Sequence, residues 1–308
     1  MIKTEHLTKK YESLTAVDDV TFQVGPGEVL GFLGPNGAGK TTTMRMLAGF
    51  VTPTSGHASI CGHDIESEPL LAKASLGYLP EGAPIYGEMT VRGFLAFIAD
   101  LRALSGERRA ARLKHVIEHL QLGAVLNQTI DTLSKGFRRR VGLAQAIIHD
   151  PPVLILDEPT DGLDPNQKHE VRTLINDMAR DKIIVISTHI LEEVDAVCTR
   201  AAIIARGRIV ADDTPAGLAA RSRYHNAVSM QFAAAGAQLA AARSAVAALP
   251  AVAEVEVSER DARLTALPRH GANILPAVAE LAARQGLKLQ ELHLESGRLD
   301  EVFRTITA

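Results

Sequence analysis

Apolar residues along this 308-residue chain follow first a strand-like pattern, then a helical one, then runs with no alternation at all. Ile2-Lys3-Thr4 and Val20-Thr21-Phe22-Gln23-Val24 read as β-type runs. The turns Pro26-Gly27-Glu28 and Pro53-Thr54-Ser55-Gly56 punctuate this strand-rich stretch, which extends to about residue 80, and a short strand, Ala58-Ser59-Ile60, follows. From about Val91 to His149 the apolar positions recur at i, i+3, i+4 and i+7, as in Val91-Phe94-Leu95-Ile98 and Leu113-Val116-Ile117-Leu120, which predicts helices. Pro151-Pro152 ends that region. Val153-Leu154-Ile155-Leu156-Asp157 is apolar without a break, as a strand covered on both faces should be. Ile183–Ser187 and Ala201–Ala205 repeat the style, with a helical segment between them. The pattern predicts an α/β core with a helical insertion over about 85–150.

The style shifts near Arg221. Val228–Phe232 reads as a strand, Gly236–Leu249 as a helix, Val252–Val257 and Arg263–Leu267 as strands around a polar turn, Ala272–Arg284 as a helix and Leu287–Leu294 as a strand. That order is β-α-β-β-α-β, the ferredoxin-like order. A short helix, Leu299–Ile306, follows. The expected division is one domain over 1–220 and a small α+β domain over 222–308. No full-length internal repeat is present.

One stretch carries explicit chemistry. Gly34-Pro35-Asn36-Gly37-Ala38-Gly39-Lys40-Thr41-Thr42 fits G-x-x-x-x-G-K-[ST]. It lies between the apolar run Val29–Leu33 and the apolar-periodic segment Met44–Phe50, the strand–loop–helix context the motif requires. Glycines let several N–H groups turn toward one anion, and a helix N-terminus adds partial positive charge. Lys40 would reach the β- and γ-phosphates of a nucleotide, and the Thr41 hydroxyl would ligate Mg²⁺. Asp157 and Glu158 end a predicted strand, where a nucleotide's metal is held; Asp157 would support Mg²⁺ and its waters. Glu158 would either accept a proton from the attacking water or orient it. Ser134, before the predicted helix Arg138–Ile148, has two readings: a plain helix cap, or the start of a second phosphate-binding helix serving a nucleotide held by another molecule.

Composition narrows the partners. The formal net charge is −3, which gives no global attraction to nucleic acid or anionic membrane. Arg138-Arg139-Arg140 points in several directions on a helix and reads as a solvated face. Cys61 and Cys198 have no metal spacing, which favours reduced thiols in the cytosol. The N-terminal residues lack a signal-peptide core, and no run of about 20 apolar residues exists. If the protein works at a membrane, another subunit must span it.

The phosphate loop, Leu133-Ser134-Lys135-Gly136-Phe137, Leu156-Asp157-Glu158-Pro159, Asp161-Gly162-Leu163-Asp164 and Ser187-Thr188-His189 together resemble an ATP-binding-cassette (ABC) ATPase over about residues 1 to 220. The resemblance is to the ATP-binding subunits of ABC-2-type, drug-resistance and gliding-motility exporters, and Leu299-Asp300-Glu301-Val302-Phe303 is similar to that subgroup's ending. It implies a P-loop NTPase core with an antiparallel β subdomain and a helical subdomain. It also implies ATP and Mg²⁺ as cofactors, a homodimer, a separate transmembrane permease and a cytoplasmic place on the inner face of the membrane.

By the same resemblance, Tyr11 stacks on adenine, although a core tyrosine would read alike. His189 contacts the γ-phosphate, although a lone histidine is often only a surface residue. Ser134 and Gly136 bind the partner copy's nucleotide, and Asp164 joins the two sites across the dimer. Two positions depart from the pattern. Glu81, in Tyr78-Leu79-Pro80-Glu81, stands where Gln is usual; it would touch Mg²⁺ and the attacking water, or be a solvated loop acid. Lys135-Gly136-Phe137 stands where Gly-Gly-Gln is usual. Rival readings are an energy-coupling subunit of a motility or surface machine, and a regulatory ABC ATPase without transport. Residues 222 to 308 either brace the dimer or sense a small ligand.

Overall fold

The structure, a computed structural model, describes residues 1–82, 85–234 and 236–307. The chain forms two compact units, Met1–Asp212 and Asp213–Ile306. The expected 222–308 range includes Ala235 and Ala308, which lie outside the described residues.

The first unit carries strands β1 (Ile2–Tyr11), β2 (Leu14–Val24), β3 (Val29–Leu33), β4 (Ser55–Ile60), β5 (His63–Asp64), β6 (Leu76–Leu79), β7 (Val153–Asp157), β8 (Ile183–Thr188), β9 (Arg200–Ala205) and β10 (Arg208–Asp213). One sheet of four strands runs β2-β1-β4-β5, antiparallel throughout. The other, of six strands, runs β10-β9-β3-β8-β7-β6, with β9, β3, β8, β7 and β6 parallel to one another.

β3, β7 and β8 are buried along their whole length. Alternate residues on a strand face opposite ways, and here they feed two separate cores. Leu154, Leu156, Ile184 and Ile186 pack with the helical insertion, in one core with Val91, Phe94, Leu95 and Ile98. Val153, Ile155, Ile183 and Val185 pack with Phe22, Phe32 and the antiparallel sheet. That double coverage is why these strands show no hydrophobic alternation.

The insertion consists of helices Val91–Leu101, Gly106–His119 and Lys135–Ile147. The first is capped by Thr90, whose hydroxyl accepts from Gly93 N at 3.1 Å. The third begins at Lys135, three residues before the expected start at Arg138, because the Ser134 hydroxyl accepts from Phe137 N at 3.3 Å and opens the helix there.

In the second unit β11 (Val228–Phe232), β12 (Val252–Ser258), β13 (Arg263–Pro268) and β14 (Leu289–Leu294) form an antiparallel sheet in the order β12-β13-β11-β14. Helices Ala237–Ala247 and Leu275–Arg284 supply Leu239, Ala242, Val246, Val278 and Leu281 to its core. The second of these helices starts later than the expected Ala272. Pro276 occupies its first turn, where a missing N–H costs nothing, and the preceding residues make a separate short turn, Arg269–Gly271. Among the described residues no helix is long and apolar enough to cross a membrane.

The far end of helix Lys135–Ile147 is seated directly on β6. A β-carbon at Gly77 would strike the Ala146 carbonyl. Just beyond the helix, buried His149 donates from Nε2 to the Leu76 carbonyl, 3.1 Å away, because a carbonyl can only accept. Its Nδ1 is buried without a partner, so the ring is neutral. Burial, with Arg102, Arg112 and Lys182 nearby, pushes its pKa down to about 4. An unfolded histidine protonates near pH 6.5, so the unfolded state binds the extra proton between about pH 6.5 and 4. Stability from this site is full above that window and falls by up to about 3 kcal/mol as the pH drops through it. His149→Gln keeps a donor for Leu76 and should flatten the pH dependence of urea unfolding across the window relative to wild type. An equally steep slope in the variant would assign the acid sensitivity elsewhere.

Candidate nucleotide-binding site

The functional residues meet at the C-terminal ends of the parallel strands, where open α/β sheets place their ligands. The glycine loop follows β3, Glu81 lies just past β6, Asp157 closes β7 and His189 follows β8. Strand register fixes the middle of this row: Leu33 pairs with Thr188, and Asp157 with Ser187.

The loop leads into helix Lys40–Leu47 through Gly39, which has φ +108°. A β-carbon at Gly39 would collide with the Ala16 carbonyl, and one at Gly34 with the Ile204 carbonyl. Both positions therefore need glycine for space, and Gly39 also for its backbone. The loop is tied from outside as well: Gly207 N donates to the Ala38 carbonyl at 3.0 Å, and Asp18 N to the Gly207 carbonyl at 2.8 Å.

Tyr11, Leu14, Thr15, Ala16, Asn36, Gly37, Gly39, Lys40, Thr41, Thr42, Glu81, Glu158, Arg206 and Gly207 line a solvent-open cleft of about 1330 Å³. Tyr11 is 43% exposed, at the end of β1 and not in the core. A smaller cavity, about 620 Å³, lies between His119–Gln121 and His169–Asp177 and includes none of the phosphate-loop groups.

Lys40 is buried and donates from Nζ to the carbonyls of Gly34 (2.7 Å) and Pro35 (3.2 Å). Burial lowers its pKa, while Glu158, Asp157 and Glu81 pull it back up. Asp157 is fully buried. Its Oδ1 accepts from the Ser187 hydroxyl, and its Oδ2 is buried without a partner. Burial raises its pKa and Glu81 adds to the rise, while the Ser187 hydrogen bond and the nearby Thr41 hydroxyl pull it down. An orphaned carboxylate oxygen beside a threonine hydroxyl is a hard-oxygen donor pair suited to a divalent cation. Among the described residues no group of three His, Cys, Asp or Glu side chains could hold a metal alone, so a cation here would take its other ligands from phosphate and water.

Glu158 is buried and has φ +49°. His189 Nδ1 lies 3.0 Å from both of its carboxylate oxygens, and the imidazole is half exposed. The turn that presents His189 is built by Thr188, whose hydroxyl accepts from Ile190 N at 3.0 Å and donates to buried Glu193 at 2.8 Å. Burial raises the Glu193 pKa.

Among the sequence candidates, Gly34, Pro35, Ala38, Asp157 and His189 do not line this cleft themselves but adjoin residues that do, whereas Ser134, Gly136 and Asp164 belong to other parts of the chain. Ser134 caps helix Lys135–Ile147. Gly136 faces the Gln167 side-chain amide, which a β-carbon there would have to displace. Asp164 caps helix Pro165–Ala179 by accepting from Gln167 N at 3.0 Å, with Pro165 in the first turn. The expectation of a solvated arginine run fails at Arg139, which is buried, and at Arg140, which is mostly buried and pairs with Glu170. The helix backs onto the β7 strand end, so its arginines find acceptors in the protein. Sequence reasoning also missed Arg206 and Gly207; only the β9–β10 turn brings them to the loop, and no motif marks them.

Known proteins share this sequence pattern and this fold. A family model described as ABC transporter matches residues 17–161. The Nod factor export ATP-binding protein I of Paraburkholderia xenovorans is 38% identical over 220 residues, covering 71% of this chain and 72% of that protein. This chain belongs to the ABC transporter ATP-binding family, a family of ATPases. The probable multidrug ABC transporter ATP-binding protein YbhF of Escherichia coli is 36% identical over 223 residues; the cassette covers 72% of this chain but spans only 38% of YbhF. A solved ATP binding subunit of an ABC transporter superposes with a TM-score of 0.67 at 30% identity, over 72% of this chain and 92% of that one. The ABC transporter cassette MJ0796, solved as a dimer, shares the fold with a TM-score of 0.65 at 23% identity, over 70% and 99% of the two chains.

The backbone clash makes Gly39 a sharp test of the loop. Gly39→Ala should cost about 1–3 kcal/mol of stability and reduce ATP binding by at least tenfold, read by thermal unfolding and equilibrium binding. Wild-type affinity in this variant would show that the loop's tight seat against Ala16 is not needed for nucleotide.

Proposed function

We propose that the chain is the ATP-hydrolysing subunit of an ABC exporter, working as a head-to-tail pair that drives a separate membrane permease. The observation that carries this reading is the division of the site. Tyr11, the glycine loop, Glu81 and Glu158 share one cleft, while the exposed helix start at Ser134 and the Asp164 loop lie outside it. A second copy would bring its Ser134 and Gly136 to the open side of the cleft and complete the phosphate cradle. The Ser134 oxygen already accepts from Phe137 N, and its O–H remains available to donate to phosphate.

Within one cleft, Lys40 would leave its two loop carbonyls for the β- and γ-phosphates. Thr41 and Asp157 would hold Mg²⁺, with Glu81 at the same end. Mg²⁺ bound there would neutralise charge on the γ-phosphate. Glu158 takes the proton of the attacking water or orients it. His189 donates from Nδ1 to that carboxylate, which can only accept, and its other ring nitrogen can donate to phosphate when the ring carries both protons.

The permease would dock beside the Glu81 loop, on the helical insertion. Tyr86 (62% exposed), Phe97 (40%) and Leu101 (69%) supply apolar area there, with the Tyr86 and Phe97 rings 5.8 Å apart. Such a subunit would sit on the inner face of the membrane. Export is supported by the names of the relatives, including the Nod factor export protein. The second unit would brace the pair.

Lys40→Ala should abolish ATP binding; undiminished binding and turnover would remove the assignment of the site. Glu158→Gln should bind ATP normally, lose about a hundredfold or more in hydrolysis and accumulate an ATP-bound dimer on size exclusion. Turnover at the wild-type rate would mean another group activates water. Glu81→Gln should shift the Mg²⁺ concentration needed for half-maximal activity, or the stimulation given by the co-purified permease. If both stay fixed, Glu81 is a solvated loop acid.

A further inference from the structure

Arg139 is one of the largest departures from the sequence expectation. It is only 6% exposed, and its guanidinium is satisfied by backbone: Nε donates to the Pro159 carbonyl at 3.0 Å and Nη2 to the Asp157 carbonyl at 3.2 Å. These carbonyls bracket Glu158. The bracketed residue is left-handed, with φ +49°, a conformation a side chain disfavours and surrounding contacts must hold. Glu158 N donates to the Ser187 carbonyl at 3.0 Å, and its own carbonyl accepts from Asp161 N at 3.2 Å. The peptide groups on both sides of the carboxylate are therefore fixed, and Arg139 is the side chain that grips both flanks.

Arg139 belongs to helix Lys135–Ile147, whose N-terminus carries Ser134 and Gly136. The distance from cap to clamp is about 7.5 Å along the axis, within one rigid element. We propose that Arg139 is a positioning residue that holds Glu158 in its left-handed conformation and links it to the helix start that meets the partner copy's nucleotide. This rests on the paired-cassette reading above. The nucleotide touching the helix start of one copy thereby sets the aim of the carboxylate in that copy's own cleft, so each site governs hydrolysis at the other.

The test uses the full chain, with ATP binding and steady-state hydrolysis measured separately. Arg139→Gln should lower kcat at least tenfold while the ATP Kd and KM stay within about twofold. Arg139→Lys keeps a cationic donor and should recover part of the rate. Arg112→Gln is the control: Arg112 grips the Ile147 and Ile148 carbonyls at the other end of the same helix, at 2.7 and 2.9 Å, and its loss should leave kcat nearly unchanged. Ser134→Asp keeps a capping oxygen but repels phosphate; combined with Arg139→Gln, its kcat loss should fall well short of the sum of the single losses expressed as free energies. Wild-type kcat in Arg139→Gln, an equal loss in Arg112→Gln, no recovery in Arg139→Lys, or strict additivity with Ser134→Asp would each overturn the proposal. Failure of the wild-type chain to bind or hydrolyse ATP would instead overturn the underlying function.

Discussion

The site depends on bare backbone at the foot of the phosphate loop. An anion held by main-chain N–H groups needs a chain with no side chains between it and its supports. At Gly34 and Gly39 the supports are carbonyl oxygens of Ile204 and Ala16, from β9 and β2. The antiparallel sheet and the edge of the parallel sheet are thus pressed onto the loop at two atoms' width. Neither element touches phosphate through a motif, yet both fix the shape of the cradle. The Arg206–Gly207 turn adds the tie to Ala38.

From that seat the remaining chemistry is arranged by strand register. β3 lies beside β8, and β8 beside β7. Leu33, Thr188 and Ser187 set the heights at which Lys40, His189 and Asp157 emerge. The helical insertion attaches at two places that matter: Arg139 grips the end of β7, and His149 with Arg102 meets the Leu76 carbonyl at the start of β6. One helix therefore touches both strands whose ends carry acids facing the cleft.

Much of this was legible beforehand, for identifiable reasons. The unbroken apolar run Val153–Leu156 revealed a central strand because both its faces are covered. The glycine motif revealed the loop because its constraint is local and steric. The 3.6-residue period marked Val91–Ile98 because its buried stripe is narrow. Arg139 was opaque because its acceptors are backbone carbonyls, which leave no trace in side-chain pattern. Arg206 was opaque because its relation to the cleft is purely tertiary. The start of helix Lys135–Ile147 was misplaced because Lys135, Arg138 and the glycine dilute the apolar period, while the Ser134 cap alone decides the boundary.

Asp157 and Glu158 are neighbours in sequence, and in a strand running on extended they would face opposite sides of the sheet. The left-handed turn at Glu158 breaks that alternation. Two adjoining acids can then sit in different surroundings at the same end of the sheet: one sealed in the protein with a carboxylate oxygen left unpartnered, the other at the wall of the cleft beside an imidazole. Their shared address is thus a property of one backbone torsion, and a change that relaxed that torsion to an extended one would turn the two carboxyl groups to opposite sides of the sheet while leaving both in the sequence.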